Sequence, residues 1–198
     1  MKLFLYTILI CNLIYSCSFN SSKNKIASII KKWENKEIIF PPQLISNFEK
    51  QDSTFTLMLN KQYKILHFID STGCTPCKLT LFEWNQLLKE FPNKNKMAFI
   101  FIISTKDSVT IAKTNQWKHL HKFIYPIFYD IKNTFNDMNK FNDDPMFQTF
   151  LLDQNNKILL IGNPIYNAEI KTFFALFFTS SIYVLLSKKD RKVFSSVT

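Results

Sequence analysis

Short, nearly continuous apolar runs alternate with amphipathic segments along the chain from residue 63 onward. The runs are typical of buried strands, and apolar positions three and four residues apart are typical of helices. Strands are predicted at 63–69, 97–103, 126–129, 148–153 and 157–162. Helices are predicted at 76–91, 107–122 and 131–141, and from residue 167 onward. This order predicts an α/β fold: a central, mostly parallel sheet with an antiparallel edge hairpin and helices on both faces.

The first 62 residues have a different pattern. Apolar positions at helical spacing predict a short helix at 26–33, a double proline ends an extended piece at 37–42, and an additional strand is predicted at 54–59. The predicted organisation is an N-terminal extension at 26–62, an α/β domain at 63–180 and a basic C-terminal tail at 181–198.

The N-terminus resembles a bacterial lipoprotein signal. A lysine precedes a short apolar segment at 3–13, and the tetrad Ile14-Tyr15-Ser16-Cys17 is similar to a lipobox. The apolar segment is too short for a membrane span. We predict a signal peptide at 1–16, lipid on Cys17, a tether at 17–25 and a periplasm-facing location in the cell envelope. A secretory signal that leaves Cys17 free is the alternative.

Composition limits the function classes. The net charge of +10 comes mainly from dispersed lysines, with one cluster at 188–192. An exported protein meets no nucleic acid, so we expect the lysines to face solvent or an anionic membrane. The chain has only 2 glycines, which excludes a glycine-rich phosphate loop, and we expect no cofactor. Its 21 phenylalanines predict an aromatic-rich core.

The strongest chemical signal is the motif Cys74-Thr75-Pro76-Cys77. It follows a predicted strand and opens a predicted helix, whose free N–H groups and dipole stabilise a thiolate. We expect Cys74 to be an accessible nucleophile of low pKa and Cys77 to be a buried resolving thiol. Cys11 would leave with the signal and Cys17 would be acylated, so no four-thiol metal site is expected. An inert disulfide is the alternative, although a bridge over two residues stabilises a fold little.

Two other polar residues lie close to this motif in the sequence. Asp70 is predicted to be a turn or capping carboxylate, with proton transfer as its alternative function. His67 lies within an apolar strand, so we predict a hydrogen-bonded core histidine rather than a base or a ligand.

The order of elements resembles the thioredoxin fold, and in particular the thioredoxin-like lipoproteins of Bacteroidota, which are relatives of the TlpA and AhpC/TSA thiol-disulfide proteins. The resemblance covers about residues 60–175, and it is carried by 63–78, 125–130, 147–153 and 157–164. It implies that Cys74 attacks and Cys77 resolves. It also implies a substrate groove formed by Thr75, Pro76 and a cis-proline at the start of the predicted strand 148–153.

Several positions depart from the family pattern. Phe147 matches the cis-proline position, and the nearest proline, Pro145, lies two residues earlier. Gly73 replaces the aromatic residue before the first cysteine, Phe82 replaces a kink proline in the following helix, and Phe68 replaces a buried acid. Dithiol exchange needs mainly a thiolate and a resolving thiol, so these departures bear on efficiency and partner choice.

The resemblance implies a membrane-tethered thiol-disulfide oxidoreductase that acts on protein dithiols and disulfides, and we expect a monomer. One alternative is a non-catalytic binding module or Cu(I) chaperone that uses Cys74 and Cys77 as soft ligands. Another is a thiol peroxidase. Ser71 supplies a hydroxyl three residues before Cys74, but the single arginine of the chain is Arg191, in the tail.

The apolar segment 170–186 is about the minimum length for a membrane span. Two interpretations follow: a span with its basic flank in the cytoplasm, or the terminal helix of the domain. We predict the docked helix, because the sheet needs a helical cover there.

The lipobox-like tetrad generates a testable prediction. Cys17→Ser should abolish acylation, because the acceptor thiol is lost, and should leave precursor or release soluble protein. Labelling with radioactive palmitate measures the effect, with Cys11→Ser as the matched control. Equal labelling of Cys17→Ser and the unchanged chain would contradict the lipoprotein assignment.

Overall fold

In the computed structural model, the described residues are 24–42, 44–46, 51–70, 72–91 and 94–178. The chain divides into two compact units, one of residues 1–34 with 183–198 and one of residues 35–182. In the first unit the described part contains a helix, α1, at 24–33, where the sequence predicted 26–33. The predicted signal, most of the tether and the basic tail lie outside the described residues.

Among the described residues, the second unit contains the strands β1 (Ile45–Ser46), β2 (Tyr63–Ile69), β3 (Met97–Ser104), β4 (Ile127–Asp130), β5 (Thr149–Leu152) and β6 (Ile158–Ile161). Its helices are α2 (Gln51–Leu59), α3 (Thr75–Leu79), α4 (Leu81–Glu90), α5 (Ser108–Leu120), α6 (Thr134–Asn139) and α7 (Ala168–Phe178). Turns of 3₁₀ helix cover Lys94–Lys96 and Pro145–Phe147.

One six-stranded sheet joins the strands in the order β1-β4-β3-β2-β5-β6. The three central strands β4, β3 and β2 run parallel, whereas β5 is antiparallel to β2 and β6 is antiparallel to β5. The predicted thioredoxin-like α/β fold is therefore confirmed, with a parallel centre and an antiparallel hairpin at one edge. The two-residue β1, which the sequence did not predict, adds an antiparallel strand at the other edge.

Strand β2 is buried along its whole length because it has strands on both sides and helices on both faces. Successive side chains of a strand point to opposite faces. His67 and Phe68 therefore face two separate parts of the core.

The face of the sheet that contains Phe68 is covered by α2 and α6. Phe55 of α2 packs on Phe128, with ring centroids 4.7 Å apart. Phe135 of α6 packs edge-on against Phe68 at 5.8 Å, and Phe141 stacks on Phe68 at 4.4 Å. These contacts agree with the predicted aromatic-rich core.

The face that contains His67 is covered by α4 and α5. Trp84 of α4 packs on His67 at 5.2 Å and on Phe101 at 5.3 Å. Across the same face, the Tyr129 hydroxyl donates a hydrogen bond of 3.0 Å to the Oδ1 atom of Asn115 in α5. The helices therefore lie on both faces of the sheet, as predicted.

The strand predicted at 54–59 is wrong, because these residues belong to helix α2. Phe55, Met58 and Leu59 are half-buried, whereas Leu57 is 65 % exposed. The half-buried positions follow helical spacing, but the apolar residues Phe55, Leu57 and Leu59 alternate along the sequence as in a strand, which is why the sequence pattern predicts a strand. The contact of Phe55 with Phe128 fixes the helix on the sheet.

The single helix predicted at 76–91 is divided into α3 and α4. Thr80 separates them with φ 41° and ψ 48°, in the left-handed region, and its carbonyl accepts the first hydrogen bond of α4 from the Trp84 N–H at 3.0 Å. Leu79 and Leu81, on either side of the break, are both buried. The chain thus turns sharply at this point without the kink proline of the family pattern.

The predicted extended piece at 37–42 borders the sheet. Glu37 forms a bridge with Lys157, and the Ile38 N–H donates to the Asn156 carbonyl at 2.9 Å. Next to it, the buried Asn139 side chain in α6 accepts from the Ile39 N–H and donates to the Ile39 carbonyl, each at 2.9 Å. Part of the N-terminal extension is therefore built into the α/β unit.

Helix α7 begins where the sequence predicted a terminal helix. Asn167 caps it by accepting hydrogen bonds from the N–H groups of Glu169 and Ile170, and Phe174 is fully buried. Within the part of the chain that the structure describes, no helix has the length and apolar character needed to cross a bilayer. Residues 179–186 of the predicted segment lie outside the described residues.

The Asn139 contacts generate a stability prediction. Asn139→Ala should lower the free energy of unfolding by about 2 kcal/mol, because a buried side chain loses its bonds to both backbone groups of Ile39 and to the Phe135 carbonyl. Urea denaturation measures the change. Asn155→Ala, in the exposed turn between β5 and β6, is the control. A loss below about 0.5 kcal/mol, the usual range at surfaces, would contradict the anchoring function of Asn139.

Candidate active site

The two cysteines of the CxxC motif lie where the chain leaves the central strand β2. Cys74 and Cys77 are joined by a disulfide, with Cα atoms 5.3 Å apart. Cys74 is the N-cap residue of α3, and its Sγ atom accepts a hydrogen bond from the Cys77 N–H at 3.3 Å. Gly73 precedes it with φ 70°, a conformation that disfavours other residues. The local geometry thus directs an N–H group at the first sulfur.

Both cysteines are exposed, whereas Thr75 between them is buried. The expectation of a buried Cys77 is therefore wrong for the disulfide form. That expectation assumed one long helix at 76–91, but α3 has only 5 residues and ends at the turn of Thr80. Its dipole is correspondingly small, so thiolate stabilisation depends on individual N–H groups near Cys74.

Asp70 directly follows β2 and accepts hydrogen bonds from three parts of the chain. Its Oδ1 atom accepts from the Thr72 N–H at 2.8 Å, the Thr72 hydroxyl at 2.6 Å and the Lys78 ammonium at 2.5 Å. Its Oδ2 atom accepts from the Gln148 amide at 2.7 Å. Asp70 and Gln148 are both buried.

The environment of Asp70 acts on its pKa in two directions. Burial raises the pKa, but the hydrogen bonds from Lys78, Thr72 and Gln148 lower it by more, so the net pKa lies below its ordinary value. The group is an anion at neutral pH, and both of its oxygens have donors. This arrangement favours a positioning function for Asp70 over the proton transfer considered from the sequence.

His67 lies behind the CxxC helix. Its Nδ1 atom is 2.8 Å from the Thr149 hydroxyl, and its Nε2 atom is 3.4 Å from the Lys78 carbonyl. Burial lowers the pKa of His67 to about 4, against a small raising effect of the Lys78 carbonyl. The imidazole is therefore neutral at physiological pH, as a hydrogen-bonded core histidine should be.

The segment before β5 differs from the cis-proline arrangement that the family resemblance implies. Pro145 begins a 3₁₀ turn after Asp144, and no peptide bond among the described residues is cis. Phe147 is only 7 % exposed and offers little surface to a groove, whereas Met146 is 43 % exposed. Strand β5 starts at Thr149, so the residue directly before it is Gln148.

The structure thus brings together only part of the predicted site. Asp70 lies beside the CxxC segment, and Pro76 falls in the first turn of α3. Thr72, Lys78 and Gln148 are polar contributors that the sequence did not identify. Lys78 directly follows the motif and forms a charge pair with Asp70, a signal that was available, but nothing in the sequence marked Gln148.

Metal or cofactor binding has few candidate residues here. Two thiols become available only when the disulfide is reduced, and the described residues contain no group of three or more His, Cys, Asp or Glu side chains suited to a metal. A surface cavity of about 440 Å³ is lined by Asn115, Lys118, His119, Lys122, Phe123 and Ile124, and contains none of the predicted site residues. The disulfide itself lies open at the surface.

A comparison with known protein families matches this chain to the AhpC/TSA family. The model of the AhpC/TSA family matches residues 42–161, more than half of the 198 residues. This span contains β1 to β6 and the complete CxxC region. A comparison with curated protein sequences found no match.

Several solved structures are similar to the chain. StoA from Bacillus subtilis has 23 % identity and a TM-score of 0.44, covering 57 % of this chain and 84 % of its own. Peroxidoxin BcpB from Mycobacterium tuberculosis has 18 % identity and a TM-score of 0.44, covering 62 % and 81 %. A thioredoxin-like protein from Bacteroides caccae has 17 % identity and a TM-score of 0.44, covering 77 % and 53 %. The family assignment rests on the family model.

The buried His67 generates a pH prediction. Its pKa is 6.5 in an ordinary environment and about 4 in the folded protein, so between these values the unfolded chain binds more protons. The free energy of unfolding should therefore fall by about 3 kcal/mol as the pH drops from 6.5 to 4, and this contribution should level off below 4. Asp70, whose pKa is lowered, contributes at lower pH, outside this window.

Urea denaturation at pH 7, 5 and 4 measures this effect. His67→Gln keeps a polar side chain near Thr149 but cannot titrate, so it should remove most of the pH dependence in the window. His119→Gln, at an exposed position, is the control. Equal pH dependence in His67→Gln and the unchanged protein would show that His67 is not the responsible group.

Proposed function

Because the chain belongs to the AhpC/TSA family, we propose that it is a thiol-disulfide oxidoreductase that works through Cys74 and Cys77. The observation that carries this proposal is the exposed disulfide at the end of the central strand, with a backbone N–H directed at the first sulfur. The pair follows β2 along the chain, and both cysteines are exposed, which supports access by a macromolecule.

The proposed reaction is two successive exchanges. The Cys74 thiolate attacks a substrate disulfide, so a Cys74–substrate bond forms, the substrate S–S bond breaks, and the first substrate sulfur leaves and takes a proton. Cys77 then loses its proton and attacks the Cys74 sulfur, which releases the second substrate sulfur. Two electrons pass to the substrate, and the cysteines end as the disulfide.

The geometry gives the two sulfurs different functions. The Cys77 N–H that donates to Cys74 Sγ can stabilise negative charge on that sulfur during attack. Cys74 also lies before the first turn of α3, and the Lys78 N–H donates to the Cys74 carbonyl at 3.1 Å. These contacts support Cys74 as the nucleophile, although both sulfurs are exposed.

We place the activity at the surface of an envelope membrane. This part of the proposal is supported by the lipobox-like tetrad that ends at Cys17 and by the polar tether at 17–25. The partners proposed are protein dithiols and disulfides on the periplasmic side, which an exposed disulfide fits better than a small molecule in a closed cavity. We propose that the chain acts as a monomer.

Trapping of the mixed disulfide tests the nucleophile assignment. With a disulfide protein such as insulin, Cys77→Ser should accumulate a mixed disulfide at Cys74, because the resolving thiol is missing. Cys74→Ser should accumulate at least about tenfold less, since Cys77 lacks the directed N–H donor. Non-reducing electrophoresis and mass spectrometry measure both.

The double variant Cys74→Ser/Cys77→Ser is the control for non-specific disulfides. Equal trapping by both single variants would overturn the assignment of Cys74, and no trapping by either would overturn the proposed exchange. Peroxide consumption and Cu(I) competition on the reduced protein test the two alternatives. A faster reaction with peroxide than with insulin would favour a peroxidase.

A further inference from the structure

An ion pair closes the segment that contains the CxxC. Asp70 and Lys78 lie on either side of the two cysteines, and the Lys78 Nζ atom is 2.5 Å from Asp70 Oδ1. Lys78 Nζ is also 3.0 Å from the Thr72 hydroxyl, which itself donates to Asp70. The exposed fractions of the Lys78 and Asp70 side chains are 18 % and 11 %, so the pair is only partly screened by water.

Gln148 attaches this pair to the sheet. Its side-chain amide donates to Asp70 at 2.7 Å and to the Asn142 carbonyl at 2.8 Å. Its own carbonyl accepts from the Phe68 N–H at 2.9 Å, beside β2. We call Asp70, Lys78 and Gln148 together the clasp.

The clasp restrains the cysteines independently of the disulfide. The ion pair joins Asp70 to Lys78 across the two cysteines, and Gln148 fixes Asp70 to the segment before β5. A loop that is already ordered loses less conformational entropy when its two sulfurs bond, so their effective concentration toward each other is high.

The clasp also pairs the charge of the residue that directly follows Cys77 in the sequence. Lys78, the cation adjacent to Cys77, is engaged by Asp70 and Thr72. A free cation would stabilise the Cys74 thiolate and hence the reduced form of the protein. The Asp70 anion has the opposite effect. The pairing of the Lys78 cation and the negative charge of Asp70 therefore both favour the disulfide.

We propose that the clasp of Asp70, Lys78 and Gln148 shifts the thiol-disulfide equilibrium of Cys74 and Cys77 toward the disulfide, so that the protein donates electrons to substrate disulfides. This inference rests on the proposed function and adds the direction of the exchange. The three residues are positioning residues, since they act through the cysteines. The protein dithiol loses two electrons and two protons to the substrate disulfide, and an external dithiol reductant restores it by the reverse exchange.

Linkage gives the proposal a second consequence. If the folded protein favours the disulfide more than the unfolded chain does, the oxidised form must resist unfolding better than the reduced form by the same free energy. Weakening the clasp should reduce that difference in proportion. The redox equilibrium and the stability difference are therefore two measurements of one quantity.

The experiment equilibrates the full chain with reduced and oxidised glutathione and measures the oxidised fraction by alkylation and mass spectrometry. Gln148→Leu removes the attachment to the sheet without changing a charge, and Asp70→Asn removes the anion. Each should lower the equilibrium constant for disulfide formation about three- to tenfold, the range of one ordinary intramolecular hydrogen bond. The Cys74 pKa should fall in Asp70→Asn, because Lys78 is released.

Lys171→Met is the matched control. It removes an ion pair of similar length, 2.8 Å to Glu90, between α7 and α4, and it should leave the equilibrium constant unchanged. Asp70→Asn/Lys78→Met tests whether the pair acts as a unit. The double variant should shift the equilibrium less than Asp70→Asn alone, since it breaks the same ion pair but leaves no released Lys78 cation to stabilise the thiolate.

The outcomes separate the two proposals. Failure of the unchanged protein to exchange with glutathione would overturn the proposed function itself. Normal exchange with equilibrium constants within twofold of the unchanged protein in both Gln148→Leu and Asp70→Asn would overturn the clasp alone. Circular dichroism verifies that each variant folds. If Asp70→Asn does not fold, Gln148→Leu alone tests the clasp, because it removes one donor to Asp70 and no charge. A reduced form more stable to urea than the oxidised form would also overturn the direction.

Discussion

Asp70 accepts hydrogen bonds from Thr72, Lys78 and Gln148, which belong to the loop before the CxxC, the helix after the first cysteine and the turn before β5. A buried carboxylate without such donors would be costly, so the three segments must meet around it for the domain to fold. The position of the two sulfurs on the surface is therefore coupled to the pairing of β2 with β5. This coupling restrains the backbone at Gly73 and the two cysteines.

The same strand shows how a buried sheet accommodates polar residues. Lys64 is fully buried in β2, and its ammonium donates to the carbonyls of Leu59, Lys61 and Gln154, which lie at the end of α2 and in the turn between β5 and β6. Burial lowers its pKa. His67 uses another solution and stays neutral. The buried Lys64 is thus accommodated by hydrogen bonds to carbonyl groups, and the buried His67 by remaining unprotonated.

The sequence predicted the sheet well because nearly continuous apolar runs such as 63–69 and 97–103 are compatible with few structures other than a buried strand. It failed where tertiary contacts decide. Phe55, Leu57 and Leu59 alternate as in a strand, yet this segment is the helix α2, which packs through Phe55 on Phe40 and Phe128. The turn at Thr80 has no local signal. At the site, the CxxC and Asp70 were recognisable by residue type. Gln148 was not, because its function depends on its position opposite the end of β2.

Two opposing effects act on the thiols. A long helix starting at Cys74 would have stabilised the thiolate through its dipole and favoured the reduced protein, as expected for an oxidant. The structure instead has α3 end after 5 residues, and among the described residues the Cys77 N–H donates to the Cys74 sulfur at 3.3 Å. The ion pair of Asp70 and Lys78 meanwhile keeps the nearest cation in sequence occupied. Weak thiolate stabilisation and the Asp70–Lys78 pair both support the proposed shift of the equilibrium toward the disulfide.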